Sequence, residues 1–355
     1  MGFGGGAMIA APLAAALMKH FAGPTSVGVA ETFLVLGPLY FLAMAAGALA
    51  FRLPAPGWRP RGYTPPAVPK ALVSRHDVHP KEAIRTPQFY LLWAVLCLNV
   101  TAGIGVLGQA SAMIQEVFRG RIDAAAAAGF VGLLSLFNMG GRFFWSSLSD
   151  RIGRKPTYAV FFGLGTLLYA AVPWAGRIGS VALFVACFAV ILTMYGGGFA
   201  TIPAYLSDLF GTRYVGAIHG RLLTAWSAAG VFGPVLVNYI RQYEIERGVP
   251  NAQAYNHTLY LMAALLVVGF CCNLAVRPVA ARHHMEAGTP QRETASVQRL
   301  RGGAAVEAIV SETPTAGNHS RRAVPVLAAA WAAVAIPLGW GVASTLGRAL
   351  ALFRR

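Results

Sequence analysis

Acidic residues are scarce in this sequence, with thirteen Asp and Glu against twenty-nine Lys and Arg over 355 residues. Charged side chains make up only 12% of it, against roughly 25% in an ordinary soluble domain. Most of the chain therefore lacks the residues needed to cover a water-facing surface. Cysteine is also rare. Cys97, Cys187, Cys271 and Cys272 all fall inside apolar runs, where thiols act as small hydrophobes, so neither a disulfide nor a metal site is expected. His76 and His79 have no cysteine near them and do not alter that expectation. The apolar runs hold no nucleophile paired with a base and no carboxylate cluster, which argues against an enzyme and against a cofactor. A surplus of 16 positive charges would ordinarily suggest nucleic acid. Here the basic residues sit between apolar helices, so the surplus reports membrane orientation and no nucleic-acid partner is expected.

What the chain has instead is long hydrophobic runs, and 56% of its residues are apolar. Nine runs are long enough to cross a bilayer. They cover 1–21, 32–51, 89–118, the helix from Phe130 to the charged turn at 150, 157–174, 180–210, 222–239, 260–276 and 323–353. The first has no charged start and no cleavage site, so it reads as a membrane helix and not a leader. Residues 52–88 are rich in proline and basic side chains and read as a linker. Residues 278–322 lose apolar periodicity and read as a disordered basic segment. Gly103-Ile-Gly105-Val-Leu-Gly108 is formally a G-x-G-x-x-G, but no strand precedes it, so helix packing explains it better than a dinucleotide site.

The informative stretch is Phe130 to Tyr158, an apolar helix with one arginine midway that ends in a dense charged turn. Arg142 lies roughly 12 Å from the Asp150 end at 1.5 Å per residue, close to the middle of a ~30 Å hydrocarbon layer. An arginine at that depth costs about 2.5 kcal/mol or more and is expected to face a polar interior. One reading is an anion site. The other is a structural ion pair or a snorkelling side chain. Asn138, on the same helix, is a candidate for the site, and so is Gln109, which with Asn99 and Thr101 in the 89–118 run either lines a cavity or bonds across helices. In the run at 180–210, Tyr195 and Phe199 lie four residues apart beside Gly196, Gly197, Gly198 and Pro203. They either face a cavity or pack the core.

The turn itself, SSLSDRIGRK at 146–155, resembles the loop signature G-x-L-x-D-R-x-G-R-K of the major facilitator superfamily, with Ser146 in the glycine position. With Asn138, Gly141, Arg142 and Trp145 upstream, the stretch looks most like the oxalate/formate antiporter branch, over essentially the whole chain. The resemblance implies an all-α polytopic membrane protein, a major facilitator-type helical bundle of about nine transmembrane helices that is truncated at its N-terminus. On that alignment 1–51 is a two-helix remnant of the N-terminal bundle, 52–88 a linker, 89–277 the C-terminal six-helix bundle, 278–322 a basic segment and 323–355 an additional helix. The first four family helices are missing from the match.

The resemblance further implies a secondary transporter of small organic anions, working with a proton or a counter-anion in the lipid bilayer of a bacterial inner membrane. In the family an arginine of the eighth helix and a lysine of the eleventh hold the anion. Arg142 matches the arginine. The lysine position falls on Trp226, and Arg221 lies about five residues away, roughly 7 Å along a helix. One fixed cation suits a monocarboxylate better than a dicarboxylate. The resemblance also suggests a conformational latch from Asp150, Arg151, Arg154 and Lys155, with Asp208 and Arg213 in the loop expected over 207–221. A membrane-embedded anion-binding or sensory subunit is the alternative function.

Charge sets the orientation. If the 52–86, 151–155, 213 and 277–322 segments share one side, eighteen Lys and Arg collect there, against six on the other side before the last helix. The first set, and with it 52–88 and 278–322, is therefore expected to be cytoplasmic. Cysteines introduced at Arg75 and Arg299 should resist a membrane-impermeant thiol reagent added to intact cells, and ready labelling of either would reverse the topology.

Overall fold

The computed structural model describes residues 2–24, 26–51, 74, 76–285 and scattered positions between 332 and 353. The described chain is helical and contains no strand. In order it forms α1 (Gly2–Phe21), α2 (Val29–Ala50), a short α3 (Pro80–Ala83), α4 (Pro87–Val117), α5 (Ala124–Ile152), α6 (Arg154–Arg177), α7 (Val181–Phe210), α8 (Val215–Leu222), α9 (Thr224–Glu246) and α10 (Asn256–Ala275). Among the described residues seven helices are long and apolar enough to cross a membrane: α2, α4, α5, α6, α7, α8 continued into α9, and α10. With the shorter apolar run of α1 they account for eight of the nine spans read from the sequence. The ninth, 323–355, lies mostly outside the described residues, although Thr345 within it is helical and meets Gly132 of α5.

Local chemistry sets the helix starts. Thr86 caps α4, accepting from the Phe89 N–H at 3.4 Å, with Pro87 at the first helical position. Asp123 accepts from the Ala126 N–H at 2.7 Å and starts α5. Ser180 does the same for α7 through the Leu183 N–H at 3.3 Å. The dense charged turn is shorter than the sequence suggests. α5 runs through Asp150 and Arg151 to Ile152, and Gly153 alone separates it from α6. Gly153 has φ 95°, a conformation that side chains disfavour, so one glycine reverses the chain.

Three sequence expectations are corrected. The loop expected over 207–221 shrinks to Gly211–Tyr214, because α7 extends to Phe210 and α8 starts at Val215. The span read over 222–239 ends later than its apolar run. α9 continues to Glu246, held to α4 by Arg241, whose guanidinium meets the Glu116 carboxylate at 3.2 and 2.5 Å. Third, residues 278–285, read as the start of a disordered segment, are packed. The Gln88 side chain donates to the Pro278 carbonyl at 3.0 Å, Met285 N–H donates to the Asp77 carbonyl at 2.9 Å, and His76 stacks on His284 at 5.0 Å. Composition cannot reveal such pairing, because its partner lies some two hundred residues away. The rest of 286–322 lies outside the described residues.

The bundle is held by parallel and antiparallel helix pairs. α4 runs parallel to α9, tied by Trp93 to Thr224 at 2.9 Å, Gln109 to Asn238 at 2.7 Å and Glu116 to Arg241. Between those ties, Gly105 lies against Gly233, as the packing reading of the glycine motif requires. α6 pairs antiparallel with α10, where Gly269 admits the Phe162 ring and Asn273 donates to the Lys155 carbonyl at 2.9 Å.

The closest approach is between α5 and α7. A Cβ at Gly141 would overlap the Thr193 backbone, and one at Gly196 would overlap the Asn138 carbonyl. The Trp145 indole fills the space over Gly197 and donates to the Thr193 hydroxyl at 3.1 Å. Small residues give this proximity, which in lipid is the main source of helix association. Gly141→Ala is expected to destabilise the bundle by about 1–3 kcal/mol, lowering the unfolding midpoint in detergent. Gly140→Ala, whose added carbon meets no atom within 4 Å, should leave it unchanged. Equal behaviour of the two variants would show that the backbone contact is not needed.

Candidate functional site

Because Gly141 and Gly196 allow α5 and α7 so close together, the next residues along each helix meet. The Arg142 guanidinium lies over the Phe199 ring, 5.2 Å from its centroid. Phe199 in turn meets the Trp226 ring edge to face at 5.5 Å. Tyr195, one turn before Phe199, lies close enough to Arg142 and Trp226 to interact with both. Four of the six sequence-predicted substrate residues thus converge from three helices, α5, α7 and α9. Tyr195 is buried, while Arg142, Phe199 and Trp226 are half-buried. Such a cluster offers one planar cation, aromatic faces and a hydroxyl. That combination suits a small planar anion, with the guanidinium fork matching a carboxylate and the rings excluding water.

The other two candidates stand differently. Asn138 is buried one turn before Arg142, and its backbone carbonyl lies against Gly196, so it forms part of the α5–α7 contact. Gln109 does not join the cluster. Its amide donates to Asn238 on α9, six residues beyond Gly103, where Tyr195 packs. Asn99 of α4 has its side chain at Gly198 and is buried beside Tyr195 in a small cavity.

A second cluster closes the end of the bundle where α5 turns into α6. Arg154, 15% exposed, meets Asp150 at 2.6 Å and Asp208 at 3.5 Å, and donates to the Ser149 hydroxyl. Lys155 donates to the Leu274 and Val276 carbonyls, both at 2.7 Å, and so caps α10. Arg213 stacks on the adjacent Tyr214 ring at 5.3 Å. Arg151 is exposed. Of the six residues read as a latch, then, Asp150, Arg154 and Asp208 form one ionic group, while Lys155 and Arg213 serve separate contacts.

The family model for the Major Facilitator Superfamily matches residues 1–234. The chain belongs to the major facilitator superfamily. Its oxalate/formate-like character is carried by the Oxalate:formate antiporter of Oxalobacter formigenes, 32% identical over 234 residues, which are 65% of this chain and 51% of that protein. Apicoplast pyruvate carrier 1 of Toxoplasma gondii is 24% identical over 331 residues, covering 80% of this chain and 59% of the carrier. The MFS-type transporter YhjX of Escherichia coli K12 is 24% identical over 200 residues, covering 55% and 46%. The chain spans about half the length of the curated relatives it matches. It is an integral multi-pass membrane protein of a transporter family and not an enzyme.

Within this superfamily member, sequence reasoning missed Asp77. The linker crosses the end of α7 there. Asp77 accepts from the Arg213 N–H at 3.1 Å and packs against Gly211, whose φ of 81° and close neighbour both favour glycine. The signal was present in Gly211, although a lone glycine does not name its neighbour. In the ionic group, Asp208 is 24% exposed and Asp150 67%, so water screens Asp150 more strongly. Asp208→Asn should therefore shift the conformational population more than Asp150→Asn, with little change in expression. Reactivity of a cysteine placed at Ser146 reads that shift. Parallel loss of expression and of anion exchange in both variants would mean the group is purely structural.

Proposed function

We propose that the chain is a secondary transporter of small organic anions, monocarboxylates in particular, and that Arg142 holds the carboxylate. The observation that carries this reading is the Arg142–Phe199 contact at 5.2 Å, with Trp226 and Tyr195 around it. With Arg142 ten residues before the Ile152 end of α5, one cation lies about 15 Å from that end, where burial of a charge is expensive and an anion offsets it. Two of the relatives, an oxalate:formate antiporter and a pyruvate carrier, are named for small carboxylates, which supports this reading. Transport proceeds by alternating access, as antiport or coupled to a proton, with the Asp150–Arg154–Asp208 group biasing one state. The membrane is the bacterial inner membrane, with 52–88 and 278–322 on the cytoplasmic face. The chain is organised as 1–51, the linker, the six-helix unit 89–277, the basic segment and 323–355.

The same Arg142 cluster also serves a second reading, an anion-binding or sensory subunit without transport. Counter-flow of labelled formate into proteoliposomes separates the two, since a binder cannot exchange anion across the membrane.

Arg142→Lys keeps the charge but loses the two-pronged geometry, and should weaken formate binding about tenfold or more. Arg142→Gln should abolish binding while the protein still inserts. Trp226→Lys adds a second cation beside Phe199 and should move preference toward oxalate. If Arg142→Gln binds and exchanges formate at the parent level, the arginine is structural and the assignment to carboxylates fails.

A further inference from the structure

A cavity of about 280 Å³ opens at the end of the bundle opposite the charged turn, well away from Arg142. At ~30 Å³ per water it has room for roughly nine waters, or one ligand of about that many heavy atoms. Its wall is apolar, built by Val172 from α6, Phe184 from the first turn of α7 and Leu259 from α10. Polar groups gather on the other lining, where Arg177, Gln253 and Asn256 supply a guanidinium and two amides. A ligand with an apolar body and one polar head matches that division.

The charges around this corner favour an anionic head. Arg121 reaches across to donate to the Gly179 carbonyl at 2.9 Å, which brings a second guanidinium within two residues of Arg177. Of the nearby acids, Asp123 is engaged in capping α5, Glu116 is paired with Arg241, and Glu244 meets His257 at 3.1 Å. The cavity also has a fixed wall. Tyr255 is 1% exposed, its ring lines the cavity, and the Arg241 guanidinium lies 5.5 Å from that ring. α10 begins here without a side-chain cap, so its N-terminal dipole adds positive potential. Trp174 and Ile178, both about half exposed beside the cavity, mark the depth at which indole rings settle among lipid headgroups.

We propose that this cavity is a second binding site, separate from Arg142, for an amphipathic anion, with the anionic head on Arg177 and the apolar body against Phe184 and Leu259. The chemistry is shared by a free medium-chain carboxylate and by an anionic lipid headgroup with its first methylenes. The site does not depend on the carboxylate reading of Arg142, and its test keeps the two apart.

The full chain in nanodiscs of neutral phosphatidylcholine is titrated with octanoate by calorimetry. In parallel, protein from mixed phosphatidylglycerol and phosphatidylcholine membranes is examined by native mass spectrometry for retained lipid. Saturable octanoate binding that Arg177→Gln weakens about tenfold or more, and that Arg142→Gln leaves intact, supports a free-anion site. Selective phosphatidylglycerol retention lost in Arg177→Gln supports the lipid headgroup. Ala252→Phe, which fills the lining from a loop position, should abolish either signal and guards against a folding artefact. The proposal is overturned if neither probe binds, if Arg142→Gln alone removes binding, or if Arg177→Gln and Ala252→Phe both leave it unchanged.

Discussion

The near-contact of the α5 and α7 backbones governs the rest of the molecule. Gly141 and Gly196 leave no room for a side chain between the helices, and everything downstream on either helix inherits that separation. The three consecutive glycines of α7 each open a different direction. Gly196 admits the Asn138 carbonyl, Gly197 the Trp145 ring and Gly198 the Asn99 amide, so α7 packs on α5 and α4 at once. Lipid tails are as apolar as leucine and give little drive to bring helices together, so dispersion at short range has to do it. The Arg142–Phe199 contact follows from this packing, because those residues stand one and three positions past Gly141 and Gly196.

α7 carries the consequence to the end of the bundle. Its last carbonyls, which no helix can satisfy internally, accept from the linker: Ser74 N–H donates to the Asp208 carbonyl at 2.6 Å and Val78 N–H to that of Phe210 at 2.9 Å. The same linker segment pairs with the chain after α10 through Val78 and His284, and Glu82 meets His283 at 3.3 Å. The His283 contact, with Arg85 beside it, holds the Glu82 carboxyl below its usual range. A movement of α7 relative to α5 is therefore felt at Arg154, which bridges α5 to α7 through Asp150 and Asp208, and at the linker beyond. The cluster around Arg142 and the ionic group share α5 and α7, so two continuous helices run between them.

The spanning helices were legible in the sequence because each is a long apolar run, and several have a capping residue ahead of them. Pro87 after Thr86 and Ser180 before Val181 are examples. The site was legible in part. Arg142 stood out because a lone guanidinium in an apolar helix is costly wherever it faces, and Tyr195 and Phe199 followed from their spacing beside three glycines. Gln109 was misleading, since a polar residue in a membrane helix serves a cross-helix bond as readily as a cavity, and only the position of Asn238 decides which. Contacts between segments far apart in sequence were invisible. Nothing in the composition of 278–285 says that Pro278 will meet Gln88 or that Met285 will meet Asp77. Helix ends were similarly obscured where a tertiary ion pair, such as Glu116 with Arg241, carries a helix past its apolar stretch.

Magnitudes indicate what the Arg142 cluster is suited to do. Insertion of an arginine at mid-helix costs about 2.5–3.5 kcal/mol on translocation scales. A guanidinium over a phenyl face recovers about 0.5–1 kcal/mol when exposed and about 2 when desolvated, so the Phe199 stack offsets a part of that cost. Hydrogen bonds to a charged group add about 1.5–3 kcal/mol each, and a carboxylate supplies two in the plane of the guanidinium while cancelling its charge. The aromatic faces alone thus make Arg142 tolerable, and an anion makes it favourable. A second carboxylate on the same ligand would find Trp226 where another cation is needed, and its desolvation would outweigh what an indole N–H returns. On the reading proposed for this site, the same energetic difference favours a monocarboxylate over a dianion.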